Sequence, residues 1–319
     1  MYENLKDILF DVIIIGGGPA GLSAGIYSSR ARLNTLLIDG SSLVSQLSLT
    51  EKIENYPGFP EGIDGPALLD KFKGQLDYFG AKYINDDVAS INKKQIGSNV
   101  IWQVKVGEVI FKSKAVIIAS GARFKELGIP GENEFRGKGV SYCATCDGAF
   151  FKEKELVVIG GGDAALEEAL FLTRFASGVT IVHRRDALRA AKILQERALN
   201  NSKIKLVYSA APVEIIGDTK VKSIKIKDVK NSILTEISCE GVFIFIGYKP
   251  NTEFLNKIVD LDESGYIITD DNMHTSQEGI LAAGDCRKKN LRQVITACAD
   301  GATAGFFVSS FIDEKKHGA

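Results

Sequence analysis

An α/β chain that builds the same kind of domain twice is the fold class this sequence predicts, and three observations carry the prediction. First, a short continuous apolar run leads into a glycine-rich turn and then a helical stretch at two separate places. Residues 12–21 read Val-Ile-Ile-Ile-Gly-Gly-Gly-Pro-Ala-Gly, and residues 156–165 read Leu-Val-Val-Ile-Gly-Gly-Gly-Asp-Ala-Ala. Second, each stretch is followed by another apolar run, at 35–38 and at 179–182. Continuous apolar strands of this kind fit a parallel sheet covered on both faces. Third, a hairpin pattern follows each unit. Residues 101–106 and 109–111 flank a Gly107-Glu108 turn, and 221–227 and 233–239 flank a polar turn at 228–232. One more apolar strand then closes each copy, at 115–119 and at 241–246. The expectation is two similar domains, each a parallel sheet with a small antiparallel hairpin layer. A further strand at 279–283 and a helix over about 293–312 follow, and periodicity does not say where they pack.

Length and composition bound the rest. A chain of 319 residues corresponds to about two domains. With 45% apolar and 25% charged residues it is ordinary for a globular protein. The 39 basic and 40 acidic residues leave a formal charge of −1, so no basic excess exists to hold a polyanion, and nucleic acid is not an expected partner. The first residues, Met1-Tyr2-Glu3-Asn4-Leu5-Lys6-Asp7, lack the basic and apolar regions of a secretory signal. The apolar runs are strand length rather than the ~20 residues of a membrane span. A cytoplasmic location without a membrane partner is therefore expected.

Gly16-Gly17-Gly18-Pro19-Ala20-Gly21 satisfies the G-x-G-x-x-G pattern between a strand and a helix. Gly16 makes the tight turn, Gly18 lets a pyrophosphate reach the backbone, and Gly21 lets the helix sit on the strand. The helix start, with Pro19 and Ala20, turns its partial positive charge toward the phosphates. Asp39 closes the second strand, where a carboxylate accepts adenosine ribose hydroxyls. Gly160-Gly161-Gly162-Asp163-Ala164-Ala165 is the second copy, with Gly160, Gly162, Asp163 and Ala165 at the corresponding positions. Its second strand ends in His183-Arg184-Arg185, with Arg189 one turn on. An acid there repels a 2′-phosphate, whereas guanidinium groups hold one in a fork. These are two Rossmann-like domains of three layers. The first prefers a cofactor without a 2′-phosphate and the second prefers NADPH.

Five cysteines are present, an odd number that argues against a structural disulfide framework. Cys239, Cys286 and Cys298 read as small buried hydrophobes. Cys143-Ala144-Thr145-Cys146-Asp147 is different: two cysteines at this spacing can close a small disulfide at a helix start, where thiol pKa values fall. Asp147 is placed to move a proton when the pair opens. A zinc site needs a second pair of ligands, which neither another Cys-x-x-Cys nor His183, His274 and His317 supply, so no metal is expected. Further residues look like flavin contacts. Gly284 and Asp285 end a strand, Arg292 and Gln293 begin the following helix, and Gln46 and Asn55 precede the Tyr56-Pro57-Gly58-Phe59-Pro60 turn.

Over about residues 10–310 the chain resembles the bacterial-type, low-molecular-weight thioredoxin reductases, of the flavin disulfide reductase family. The resemblance is carried by Ile15-Gly-Gly-Gly-Pro-Ala-Gly21, Glu54-Asn-Tyr-Pro-Gly-Phe59 and Ser141-Tyr-Cys-Ala-Thr-Cys-Asp-Gly148. It continues through Gly160-Gly-Gly-Asp-Ala-Ala165, His183-Arg-Arg185, Ala282-Ala-Gly-Asp285 and Leu291-Arg-Gln-Val294. It implies a discontinuous FAD domain over 1–117 and 248–319, an NADPH domain over 118–247 that carries the Cys pair, and a homodimer. It also implies the reaction: hydride from NADPH to FAD, then electrons to the Cys143–Cys146 disulfide, then exchange with oxidised thioredoxin. In that scheme Cys146 faces the flavin, Cys143 attacks the partner and Asp147 is the acid–base group. Because the NADPH loop and the Cys pair share one domain, the resemblance further implies a rotation about the crossings near 115–122 and 245–250, with Gly121 and Gly247 as pivots. The chain departs from the family in one place. Val44-Ser45-Gln46-Leu47 stands where Gly-Gly-Gln-Leu is usual, which bears on the loop path beside the flavin and on its potential.

Two other readings compete. One is a related flavin enzyme with a different acceptor, such as a peroxiredoxin-type or thioredoxin-like protein, or one that takes electrons from ferredoxin or oxidises a small dithiol. The intact second glycine motif with its arginines argues for NADPH as donor but says nothing of the acceptor. The other is a non-catalytic nucleotide-binding redox sensor, against which the Cys-Ala-Thr-Cys-Asp segment argues.

Overall fold

The structure is a computed structural model that describes residues 2, 5–42, 45–49, 53, 55–97 and 99–317. Val44 and Glu54, named above, lie outside the described residues. The chain forms two compact α/β units, one from residues 1–123 and 249–319 and the other from 124–248.

The first unit opens with β1 (Leu9–Ile15), α1 (Pro19–Arg30), β2 (Thr35–Asp39), α2 (Gly65–Tyr78) and β3 (Lys82–Asn85). It continues through β4 (Val88–Ile96), β5 (Asn99–Val106) and β6 (Val109–Ile118), and β7 (Ala122–Phe124) leads out of it. Strand β1 lies between β2 and β6, parallel to both. That central place explains its unbroken apolar run: Val12 and Ile14 face one core, Phe10, Ile13 and Ile15 the other. Pro19 sits in the first turn of α1, where its missing N–H costs nothing. Asp64 caps α2 by accepting the Ala67 N–H at 3.0 Å.

Strand β6 differs from the sequence reading. Residues 109–111 and 115–119 were expected as separate strands, but they are one strand. Its first half pairs antiparallel with β5, Val106 opposite Val109, and its second half pairs parallel with β1, Ile15 opposite Ile118. Lys112-Ser113-Lys114 holds neither glycine nor proline, and Lys112 and Ser113 pair with both β1 and β5, so the strand runs through. The antiparallel strands of this unit therefore extend the parallel sheet, in the order β3-β2-β1-β6-β5-β4, rather than forming a second layer.

In the second unit, β8 (Val140–Ser141) and a single helical turn, α3 (Ala144–Asp147), precede β9 (Glu155–Ile159) and α4 (Asp163–Leu172). There follow β10 (Gly178–Val182), α5 (Lys192–Leu199) and β11 (Ile204–Val207), then β12 (Ala210–Gly217), β13 (Val221–Asp228), β14 (Leu234–Ser238) and β15 (Gly241–Ile244). The parallel sheet has the order β11-β10-β9-β15-β8. Here the antiparallel layer is a separate sheet, of three strands rather than a hairpin. The added strand, β12, is hard to read because a register shift beside Pro212 breaks its alternation.

The chain returns through β16 (Tyr248–Pro250), which pairs with β7, and supplies β17 (Ile280–Ala282) and α6 (Val294–His317) to the first unit. Strand β17 pairs parallel with β6, Ile280 opposite Val116. Helix α6 corrects one expectation: residues Val294–Lys315 are long and apolar enough to cross a membrane. In the structure one face of that helix packs into the first unit, where Ala297, Ala304, Val308 and Ile312 are buried. Small residues set the approach to α1. A side chain on Gly301 would stand 2.0 Å from the Ala20 carbonyl oxygen.

Candidate active site

The first glycine turn is shaped by close packing. Gly16 has φ +114°, and the Gly16 carbonyl oxygen lies 1.8 Å from where a Cβ on Gly21 would stand, so no larger residue fits there. The Asp39 carboxylate lies over Gly17 and accepts its N–H at 2.9 Å. The Tyr83 hydroxyl donates to the other Asp39 oxygen, and the Lys73 ammonium is 4.0 Å from it. Burial and this acid push the Tyr83 phenol well above its ordinary range. Helix α1 begins at Gly18 with no side-chain cap and no acid in its first turn, leaving amide donors for an anion. Among the described residues, the atom near a Cβ placed on Gly18 is the Ser45 hydroxyl, at 3.5 Å. One of the two departures from the family pattern thus lies beside this cradle.

The returning segment reaches the same turn. A Cβ on Gly284 would stand 2.7 Å from the Ala20 side chain. The Gly284 N–H donates to Asp300 at 3.0 Å, and Asp300 also takes Arg287 at 3.1 Å and Lys289 at 2.7 Å. Asp285 Oδ1 is shut off from solvent and has no hydrogen-bond partner among the described residues. Burial raises the Asp285 pKa to about 6, against the pull of Lys289 and Arg292. A buried carboxylate oxygen without a donor, beside a glycine cradle, fits a hydroxyl-bearing nucleotide such as FAD. Arg292 and Gln293 lie immediately before α6 rather than inside it. The Arg292 guanidinium is 4.4 Å from the Tyr266 ring centroid. Gln293 accepts the Asn55 amide at 3.1 Å, and the Gln46 amide donates to the Ala122 carbonyl.

The second turn repeats the backbone with another residue above it. A Cβ on Gly161 would lie 2.3 Å from the His183 ring, so His183 occupies the place that Asp39 holds over Gly17. His183 is buried and its Nε2 has no partner among the described residues. Burial lowers its pKa, and Arg189, Arg185 and Arg184 lower it further. The three arginines themselves are exposed. Arg189 donates its N–H to the Gly161 carbonyl at 2.7 Å, and Asp163 accepts the Ala191 N–H at 2.6 Å. The space beyond Gly162 is open. An open glycine cradle ringed by exposed guanidinium groups fits a phosphorylated dinucleotide.

Cys143 and Cys146 are joined as a disulfide, Cα atoms 5.3 Å apart, with Cys143 as the N-cap of α3. Both are partly exposed. Ser141 Oγ donates to Asp147 Oδ2 at 2.6 Å and accepts the Cys143 N–H at 3.1 Å. Glu168 on α4 takes the Ala144 N–H, and burial raises its pKa. Phe150 is more than half exposed just past the pair. Sequence reasoning missed Ser141, Glu168, Tyr83 and Phe150. Only the place of Ser141 two residues before the pair hinted at any of them. Cys239 and Cys286 are buried and Cys298 partly so, and burial raises their thiols to about 12, 11 and 11, as suits inert packing residues.

A family model described as pyridine nucleotide-disulphide oxidoreductase matches residues 10–301. A protein of Bacillus subtilis (strain 168) named thioredoxin reductase is 48% identical over 97% of this chain and 96% of its own. One of Treponema pallidum (strain Nichols) with the same name is 46% identical over 95% and 97%. The crystal structure of thioredoxin reductase from Streptococcus pyogenes MGAS5005 superposes with a TM-score of 0.89 at 43% identity, covering 96% of this chain and 99% of that one. The chain belongs to the pyridine nucleotide-disulphide oxidoreductase family and, within it, to the thioredoxin reductases. It is an oxidoreductase with FAD and NADPH as cofactors. These relatives do not favour the reading with another acceptor.

Proposed function

We propose that the chain reduces oxidised thioredoxin at the expense of NADPH, through the Cys143–Cys146 pair. The observation that carries this reading is that disulfide, half-exposed at a helix start and in the same unit as the arginine-ringed glycine turn. When bound, FAD and NADPH supply the hydride and electron-pair transfers that open the disulfide. Gly16, Gly18, Pro19, Ala20, Gly21, Asp39, Gln46, Asn55, Gly284, Asp285, Arg292 and Gln293 hold FAD. Gly160, Gly162, Asp163 and Ala165 cradle NADPH, and Arg184, Arg185 and Arg189 select its 2′-phosphate. His183 covers that turn at Gly161, as Asp39 covers the first. Cys143 attacks the acceptor disulfide, Cys146 re-forms the internal bond, and Asp147 carries the proton. The unit bearing both the NADPH turn and the Cys pair turns about the crossings, where Gly121 and Gly247 have φ +66° and +106°.

A homodimer in the cytoplasm completes the proposal. The outer face of α6 exposes Ile295 and Phe306, and α1 exposes Tyr27, an apolar stripe that suits a second copy. Cys146→Ser tests the relay. NADPH should still bleach the flavin while thioredoxin turnover disappears, and loss of bleaching instead would refute it.

A further inference from the structure

Ser141 has no part in the reaction as written, yet three groups around the redox pair converge on it. It ends β8 and is only 4% exposed, so water does not compete for its hydroxyl. Its Oγ accepts the Cys143 N–H at 3.1 Å and lies 2.6 Å from Asp147 Oδ2. The Cys143 carbonyl is also near, at 3.3 Å. A hydroxyl carries one proton, and the closer, charged acceptor takes it. Asp147 N–H in turn donates to the Cys143 carbonyl at 3.1 Å. The hydrogen bonds close a ring that runs from Cys143 through Ser141 to Asp147, the neighbour of Cys146, and back.

We propose that Ser141 is a positioning residue for thiol–disulfide exchange. It aims the Asp147 carboxylate and keeps the two cysteines in bonding register once the sulfur–sulfur bond is open. This rests on the roles given to Cys143, Cys146 and Asp147 above. In the reduced pair nothing covalent fixes the sulfurs, and the ring remains as the tether. The Cys143 thiolate attacks one sulfur of the acceptor disulfide, a mixed disulfide forms, and one acceptor thiolate leaves and takes a proton. The Cys146 thiolate then attacks the Cys143 sulfur, closing the internal bond, and the second acceptor thiolate leaves and takes a proton. Two electrons pass from the pair to the acceptor, and the two protons its thiols lose match the two the acceptor gains. The second attack is intramolecular, so its rate depends on how well the tether holds the attacking sulfur in line.

Other polar and charged groups also lie near α3. Helix α4 presents Glu168, which takes the Ala144 N–H at the start of the turn, next to Cys143, with Glu167 beside it. The short turn Gly148–Phe151 carries no titratable side chain. The Tyr142 hydroxyl donates to Glu132 at 2.7 Å and receives Arg136 at 3.2 Å. Glu168 and Tyr142 each have their own partner, and Ser141 Oγ donates to Asp147 Oδ2 at 2.6 Å.

Ser141→Ala and Ser141→Thr, in the FAD-loaded full chain, test the proposal. Each variant is reduced with NADPH and its thiols are alkylated with iodoacetamide between about pH 5 and 9, where thiolates form. Thioredoxin turnover is measured alongside, and a thermal melt checks folding. Ser141→Ala should slow turnover about tenfold, a modest share of what misplacing a catalytic group costs. It should also displace the pH profile of alkylation and leave bleaching by NADPH unchanged. Ser141→Thr keeps the hydroxyl and should restore both. A wild-type alkylation profile in Ser141→Ala overturns the proposal, as does a turnover loss that Thr reproduces with no change in profile. If the unmodified chain fails to turn over thioredoxin but Ser141→Ala still shifts the profile, the choice of acceptor falls and the role of Ser141 stands.

Discussion

The two glycine turns of this chain share a backbone and differ in the residue laid over it. In the first unit Asp39 covers Gly17, accepts its N–H and is itself held by Tyr83. In the second, a buried imidazole covers Gly161 and the charge lies outside it, on three exposed arginines. Both covering residues follow directly on paired positions, Ile15 opposite Ile38 and Ile159 opposite Val182. One scaffold thus offers a negative site in one copy and a positive site in the other. In the proposed assignment of these residues, the strand end rather than the glycine motif decides which nucleotide is taken. The third motif position differs too. Gly21 has no room for a methyl group, whereas Ala165 carries one, packed against the turn at Gly160.

The comparison is broken most severely at that third position. Gly21→Ala puts a methyl group onto the Gly16 carbonyl, and urea titration should show a loss of about 3 kcal/mol together with poor retention of FAD. The mirror change, Ala165→Gly, should cost only about 1 kcal/mol, the usual helix penalty. Equal losses would mean that the two helices sit alike on their strands. Next in size is the loss of the second copy's charge. Arg184→Ala combined with Arg189→Ala should raise the KM for NADPH by about two orders of magnitude, as expected for two charge-assisted hydrogen bonds, and leave NADH little changed. An equal rise for both nucleotides would remove the 2′-phosphate from the explanation.

The smallest effect concerns His183. Its pKa is lowered in the folded chain from an ordinary value of 6.5, so below that pH the unfolded chain binds more protons than the folded one. The stability tied to the neutral ring is therefore complete above about pH 6.5 and is lost as pH falls toward the folded value. Thermal melts from pH 7 down to about 5 should show that decline, and His183→Asn should flatten it. A variant that keeps the full decline would place the titrating group elsewhere.

Much of this contrast is legible in the sequence, because the glycine spacing and the residue ending each second strand are local features. The strand–helix–strand units follow from their apolar runs for the same reason. What escapes is set by pairing over long distances. Strand β6 looks like two pieces because Lys112, Ser113 and Lys114 interrupt its apolar pattern, and only the two partner registers show it to be continuous. His183 reads as one more basic group beside Arg184 and Arg185, but its place over Gly161 comes from the register of β9 and β10. Tyr83 reaches Asp39 because β3 lies next to β2. Ser141 and Glu168 acquire partners only once α3 has settled against its neighbours.

The long excursion between β7 and β16 also orders the birth of the molecule. During synthesis residues 124–248 are complete, and free to fold as a unit, while the earlier sheet still lacks β17 and the helix that covers α1. Until residues 280–312 emerge, the apolar flank of α1 and the open side of β6 near Val116 stay bare to solvent. The nascent chain thus passes through a stage with one finished half and one sticky half, and a chaperone that shields exposed apolar surface would find its grip on the latter.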